Sequence, residues 1–194
     1  MHHIYTTEAI VIRSIPMGEA NRLYFLLTRD LGFIKAAAQG VRLSKSKLKG
    51  HLQVFSLIKV SVVKGRDLWR ITNAETIIQN GVIKDKGKLS VLFNSSALLL
   101  RLIHGEEKNE KLFECVESAY ILCRDANLSI EELKNTEILT VLRIMHFLGY
   151  IKKAEGLSSF AEGTNLTPEL LTDFSSKSKL AVFEINTALK ETHL

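Results

Sequence analysis

The apolar residues of this chain change their period once. Up to about residue 78 they alternate or gather in short β-branched runs closed by glycine. From about Lys88 onward they recur every three or four positions. Neither one continuous helical bundle nor one all-β sandwich accommodates both patterns. The switch predicts an α+β chain of two parts: a β-domain over residues 1–80 and an all-α domain over 81–194. A mixed-charge link around residues 79–87, holding Asn80-Gly81, would join them. A length of 194 residues suits such a pair of small domains.

Five strands are expected in the first part. Ile4 to Ser14 is rich in β-branched residues and runs into Pro16 and Gly18. Asn21 to Arg29 places Leu23, Phe25 and Leu27 on one face and Tyr24, Leu26 and Thr28 on the other. Phe33 to Gln39 pairs back as a hairpin across Asp30-Leu31-Gly32. After a basic, turn-rich stretch with a short helix near Lys47 to Leu52, Val54 to Lys64 and Leu68 to Ile78 supply the last two. Three strands close in sequence, a longer connection and then two more match a five-stranded Greek-key OB-fold barrel. Strand count alone also admits a small SH3-like barrel.

The second part reads as helices over Leu89–Ile103, Asn109–Asp125 and a segment from Ser129 to about Leu148. The last is opened by the capping box Ser129-Ile130-Glu131-Glu132. Thr167-Pro168-Glu169 starts another helix, and Leu180 to Leu189 forms the last. Ile151 to Asn165 is polar and contains glycine, which predicts a loop.

Cys115 and Cys123 would lie about 12 Å apart along one helix, beyond the ~7 Å reach of a disulfide. Free thiols and a reducing, cytoplasmic compartment are therefore expected. No apolar run is long enough to span a membrane, and Met1 to Tyr5 lacks the charged and apolar regions of a secretory signal.

Charge divides as the periodicity does. The net formal charge is +5. Residues 1–75 hold 12 Lys/Arg against 5 Asp/Glu, and residues 76–194 hold 14 against 16. Between Asp30 and Asp67 there is no acidic residue, while Lys35, Arg42, Lys45, Lys47, Lys49, Lys59, Lys64 and Arg66 all fall there. A surface of one sign attracts polyanions.

Catalytic signatures are missing. The chain has no HExxH, GxSxG, CxxC or GxGxxG. Gly81 to Leu89 imitates a phosphate loop but puts five residues between its glycines and Leu89 where magnesium would need a hydroxyl. The six histidines are scattered. The acidic run Glu106, Glu107, Glu110, Glu114 and Glu117 reads as a helix start favoured by its dipole. No enzyme, no cofactor and no metal site is expected.

Nucleic-acid binding needs cations for phosphates and flat side chains for bases. Arg13, Arg22, Lys35, Arg42, Lys45, Lys47, Lys49 and Arg70 are the candidate phosphate contacts. Phe25 shares the parity of Leu23 and Leu27, which assigns it to the core and leaves Tyr24 as the candidate for stacking. Trp69 and Arg70 point to opposite faces, so one is core if the other faces a groove. The small and basic residues from Gln39 to Gly50 would let the backbone approach a phosphate chain closely. Binding should be driven by the nucleic-acid backbone and tolerate any sequence.

At these residues the chain resembles the bacterial RecO family of recombination mediators. The resemblance is carried by Thr7-Glu8-Ala9-Ile10-Val11-Ile12-Arg13, Gly18-Glu19-Ala20-Asn21-Arg22-Leu23, Gly40-Val41-Arg42 and Leu48-Lys49-Gly50-His51-Leu52-Gln53-Val54-Phe55, with Phe147-Leu148-Gly149-Tyr150 in the helical part. It implies a non-enzymatic protein that binds single- and double-stranded DNA and anneals complementary strands. The implied partners are RecR and the C-terminal tail of single-stranded DNA-binding protein (SSB), with RecA loaded indirectly and no membrane involved. The basic residues from Arg13 to Arg70 would line the DNA surface. The chain departs from the family in having no cysteine over Ile151–Lys177, where many members carry two zinc-binding CxxC pairs, and in having Val54 where proline is frequent. Two further readings stand beside it: an interaction adaptor with a purely structural barrel, and an RNA-binding OB protein.

Overall fold

A computed structural model describes residues 3–79, 83–151 and 156–191. Asn80-Gly81 of the link and positions 152–155 after Tyr150 lie outside the described residues. The chain forms two compact units. The first takes in the barrel and also the later segment His104–Glu110; the second comprises Ile83–Ile103 and Lys111–Leu194.

Strands β1 (Ile4–Met17), β2 (Asn21–Thr28), β3 (Gly32–Ala38), β4 (Leu57–Lys64) and β5 (Trp69–Ile78) close into a barrel in the order β1-β2-β3-β5-β4. All neighbours are antiparallel except β3 and β5, which run parallel where Ala36 and Ala37 meet Trp69 and Arg70. This is an OB-fold. Closure depends on the length of β1. Its first half, Ile4–Ile10, pairs with β4, and its second half, Ala9–Met17, pairs with β2. A register shift between Val11 and Arg13 bends the strand between the two roles.

The interior follows strand alternation. Val11, Tyr24, Leu26, Ile34, Ile58, Val60, Trp69 and Ile71 are buried there. Ala36 and Ala38 leave room for the large rings of Tyr24 and Trp69. Val41 and Leu52, from the connection between β3 and β4, complete the core from one end. That connection holds a 3-10 turn at Lys47–Gly50. β4 starts at Leu57, later than the Val54 read from sequence, because Phe55 takes a left-handed φ of 68°. Such a turn in a bulky residue costs about 1–2 kcal/mol. Two hydrogen bonds to β1 hold it: Phe55 N to Val11 O (2.7 Å) and Val11 N to Ser56 O (3.0 Å).

His104–Glu110 joins the barrel through polar contacts. Trp69 Nε1 donates to Glu106 Oε1 at 2.8 Å, and Lys64 Nζ reaches Glu106 Oε2 at 3.1 Å. Lys108 Nζ pairs with Asp30 Oδ1 at 3.3 Å. Gly32 permits the approach: its φ is +67°, and a Cβ there would overlap the carbonyl of Glu107.

The helical unit contains α1 (Lys86–Leu102), α2 (Glu110–Asp125), α3 (Ile130–Phe147), α4 (Ser158–Ala161), α5 (Pro168–Ser175) and α6 (Ser178–Glu191). Their starts are set by side-chain caps. Asp85 accepts from Lys88 N, Thr167 accepts from Leu170 N, and Ser129 and Glu132 form the expected reciprocal box. α3 packs against α1, α4, α5 and α6 and is the centre of the unit. Only Glu110 of the acidic run lies in the first turn of α2; Glu106 and Glu107 precede the helix. The segment after Tyr150, expected as a loop, contains the four-residue α4. It is tied to α3 by Arg143, which is 1% exposed and donates from Nε to Phe160 O (2.7 Å) and from Nη1 to Asn165 O (2.8 Å).

Candidate nucleic-acid interface

Register decides which side chains share the outside of a sheet. Arg13 of β1 lies opposite Phe25 of β2, which lies opposite Lys35 of β3. The next outward row runs from Ile15 through Leu23 and Ala37 to Arg70 of β5. Strands are spaced by about 4.8 Å, so Arg13 and Lys35 sit roughly 10 Å apart at the backbone. The result is a sheet face with a half-buried apolar centre, Ile15, Leu23, Phe25 and Ala37, and exposed cations Arg13, Lys35 and Arg70 at its margins. Lys35 Nζ stands 5.8 Å from the centroid of the Phe25 ring.

A second group gathers at the barrel mouth, between the β1–β2 turn and the β3–β4 connection. Arg22, Arg42 and Lys49 line a cavity of about 460 Å³ together with Ser14, Tyr24, Val41, Leu52, Gln53 and Val54. Both guanidinium groups are anchored. Arg22 donates from Nε and Nη2 to Ser14 Oγ at 3.2 and 3.0 Å. Arg42 donates from Nη1 to Gly18 O at 2.8 Å, while its backbone N–H bonds Ala20 O at 2.9 Å. Lys45 and Lys47 are exposed on the same connection but do not line the cavity.

The sequence-predicted residues thus fall into two clusters with two outliers. Arg13, Lys35 and Arg70 share the face; Arg22, Tyr24, Arg42 and Lys49 share the mouth; Lys45 and Lys47 stand along the connection. Tyr24 requires a correction. It is 2% exposed and packed in the barrel interior, so its ring faces are closed to a base. Burial pushes its phenol above the ordinary value, against the opposing pull of Arg22. Phe25, which parity assigns to the core, lies half-buried on the outside. Trp69 is core and Arg70 is exposed on the outside.

Some cations of the chain are paired with carboxylates and the candidate cations are not. Arg29 pairs with Glu8, Lys64 with Glu106, Lys108 with Asp30 and Arg124 with Asp125. Among the described residues none of Arg13, Arg22, Lys35, Arg42, Lys45, Lys47, Lys49 and Arg70 pairs with a carboxylate. Their fields are uncompensated, which is what recruitment of a polyanion requires.

Among the described residues no group of three or more His, Cys, Asp and Glu side chains is placed so that it could hold a metal ion. Cys115 and Cys123 are free and buried, and burial pushes both thiols up to about 12. No helix of the described residues is long and apolar enough to cross a membrane.

Residues 1–80 match the family model described as recombination protein O N terminal. Curated relatives extend the similarity into the helical part. A DNA repair protein RecO of Dehalococcoides mccartyi strain 195 is 34% identical over 150 residues, 75% of this chain and 55% of that protein. Its counterpart in Nostoc sp. PCC 7120 is 30% identical over 188 residues, 95% of this chain and 61% of that protein. One from Gloeothece citriformis is 35% identical over 115 residues, 59% of this chain and 41% of that protein. The chain spans about half the length of the curated relatives it matches.

Proposed function

As the chain belongs to the RecO family of DNA repair proteins, we propose that it acts as a DNA-binding recombination mediator whose barrel grips strands by their phosphates. The observation that carries this reading is that the eight candidate cations of the barrel have no carboxylate partner among the described residues and that three of them stand around the half-buried Phe25. Phosphate contacts give affinity without sequence preference. A ring beside a cation offers a stacking platform that accepts any base. Two strands held on neutralised phosphates repel each other less, which favours annealing. The protein binds single- and double-stranded DNA, is not an enzyme, and works in the cytoplasm. It anneals complementary strands and, with RecR and the SSB tail as partners, helps RecA to load.

The test is fluorescence anisotropy on labelled single-stranded and duplex DNA, with the complementary strand added to follow annealing. Native protein should bind both and speed annealing. Lys45→Glu with Lys49→Glu should lower affinity by about tenfold or more, as two phosphate contacts become repulsions. Failure of the native chain to bind at low salt or to speed annealing would overturn the reading in favour of the adaptor. Tighter binding of RNA of the same sequence would favour the RNA-binding reading.

A further inference from the structure

We propose that the barrel mouth, besides adding to the grip on strand phosphates, is a receptor for a phosphomonoester, the terminal phosphate of a nucleic-acid strand. The inference rests on the reading that the barrel binds nucleic acid, and it names what one part of that surface takes.

Three features of the mouth point this way. First, its shape is that of a ligand site. A volume of about 460 Å³ falls in the common range for small-molecule pockets, roughly 300–1,000 Å³. Its lining includes Tyr24, Val41 and Leu52, which belong to the buried core of the barrel. The cavity is therefore floored by the barrel core, which closes it on the inner side.

Second, the charge fits. Arg22, Arg42 and Lys49 line the cavity and no carboxylate does. A phosphodiester carries a single negative charge and would leave three cations undercompensated. A phosphomonoester carries close to two at neutral pH and offers three strong acceptor oxygens.

Third, the donors are prepared. Ser14 and the Gly18 carbonyl fix the two guanidinium groups before any ligand arrives, leaving further N–H groups free. Lys49 Nζ, the Tyr24 hydroxyl and the Gln53 amide have no hydrogen-bond partner among the described residues, and all three side chains line the cavity. The Tyr24 hydroxyl is a donor, and burial raises the phenol above its ordinary value of 10.0. The outer face lacks this convergence: its cations stand at the margins of a half-buried apolar surface.

The test uses the full chain and labelled single strands of about 12 nucleotides that share one sequence and differ only at their ends: 5′-phosphate, 3′-phosphate, or hydroxyl at both. One phosphorylated strand should bind about fivefold or more tightly than the hydroxyl strand. Arg42→Gln with Lys49→Gln should bring the three strands to one common affinity, lower than that of the native chain for the hydroxyl strand. Arg42→Lys, which keeps the charge but loses the guanidinium fork, should keep part of it. Arg13→Gln with Lys35→Gln should weaken all three strands by the same factor and leave the ratio intact. Circular dichroism checks that each variant is folded. Equal affinity of the native chain for the three strands would overturn the proposal while leaving the nucleic-acid reading standing. If no strand binds, that reading fails, and a deoxynucleoside 5′-monophosphate followed by amide chemical shifts decides the mouth. Shifts confined to the mouth and lost in the Arg42→Gln, Lys49→Gln variant would retain a phosphomonoester site for a free nucleotide; no shifts would end it.

Discussion

Arg143 lies on α3 among the largest fully buried side chains, yet it carries a charge. Burial draws its guanidinium below the ordinary value, and no carboxylate pairs with it among the described residues. Its work is to satisfy the carbonyls of Phe160 and Asn165, on either side of the end of α4. Replacing it by Met keeps most of the volume and removes both bonds. Each orphaned carbonyl costs about 1–3 kcal/mol. Relief from burying a charge offsets part of that total, so the helical unit should lose about 2–4 kcal/mol. A unit of this size loses roughly 4 °C per kcal/mol, which gives a fall of about 8–16 °C. Arg143→Lys should recover little, since one ammonium cannot span two carbonyls held by a planar fork. Ellipticity at about 222 nm against temperature reads the helices, and emission from Trp69, the single tryptophan, reads the barrel separately. A loss below about 1 kcal/mol in Arg143→Met, or full recovery in Arg143→Lys, would refute the claim that this side chain organises the segment after Tyr150.

Gly32→Ala should destabilise the barrel, because it adds a left-handed penalty of about 1–2 kcal/mol and sets a Cβ 2.6 Å from the carbonyl carbon of Glu107; Trp69 emission should shift as Glu106 is displaced. Acid should weaken the same region. Asp30 is held below its ordinary value of 3.8, chiefly by the hydrogen bond from Thr7. For Glu106 partial burial opposes ionisation, but hydrogen bonds from Trp69 and Lys64 outweigh it and hold the carboxyl below 4.5. Both folded values are depressed, so their stabilisation is present above the ordinary values and is lost as pH falls below them. The Trp69 unfolding midpoint should therefore drop in that acidic window, and Glu106→Gln should flatten part of the drop. Phe25→Ala should weaken single-strand binding by about 1–3 kcal/mol with little effect on unfolding, whereas Tyr24→Ala should cost about 3–5 kcal/mol of stability. The reverse pattern, read by anisotropy and thermal melts, would restore Tyr24 as the stacking residue.

The barrel was legible because its strands alternate and its turns fall at glycine. The helical starts at Ser129 and Thr167 were legible because capping is a local signal. The facing of β2 was not. Its outward parity carries Leu27, which is 1% exposed, as well as the half-buried Leu23 and Phe25. Both faces of the strand are apolar, so alternation cannot say which is inside. The bulge between Val11 and Arg13 removes the neighbouring strand as a guide. Glu106 escaped for a different reason. In sequence it belongs to an acidic run before a helix, and nothing local reveals that Trp69 and Lys64, about forty residues earlier, are its partners. The division of the basic residues into a face and a mouth likewise depends on strand register and on the path of the connection, neither of which a charge count contains.

The most direct measurement of the central claim is the salt dependence of single-stranded DNA binding, native chain against Arg13→Gln, Lys35→Gln, Arg70→Gln. Contact with four to six phosphates gives a slope of log K against log salt of about −3 to −4. Loss of three contacts should reduce its magnitude by about 2. That result would place the outer face of the barrel on the strand. An unchanged slope in the triple variant, with native binding intact, would mean that the phosphates lie elsewhere and would contradict the account.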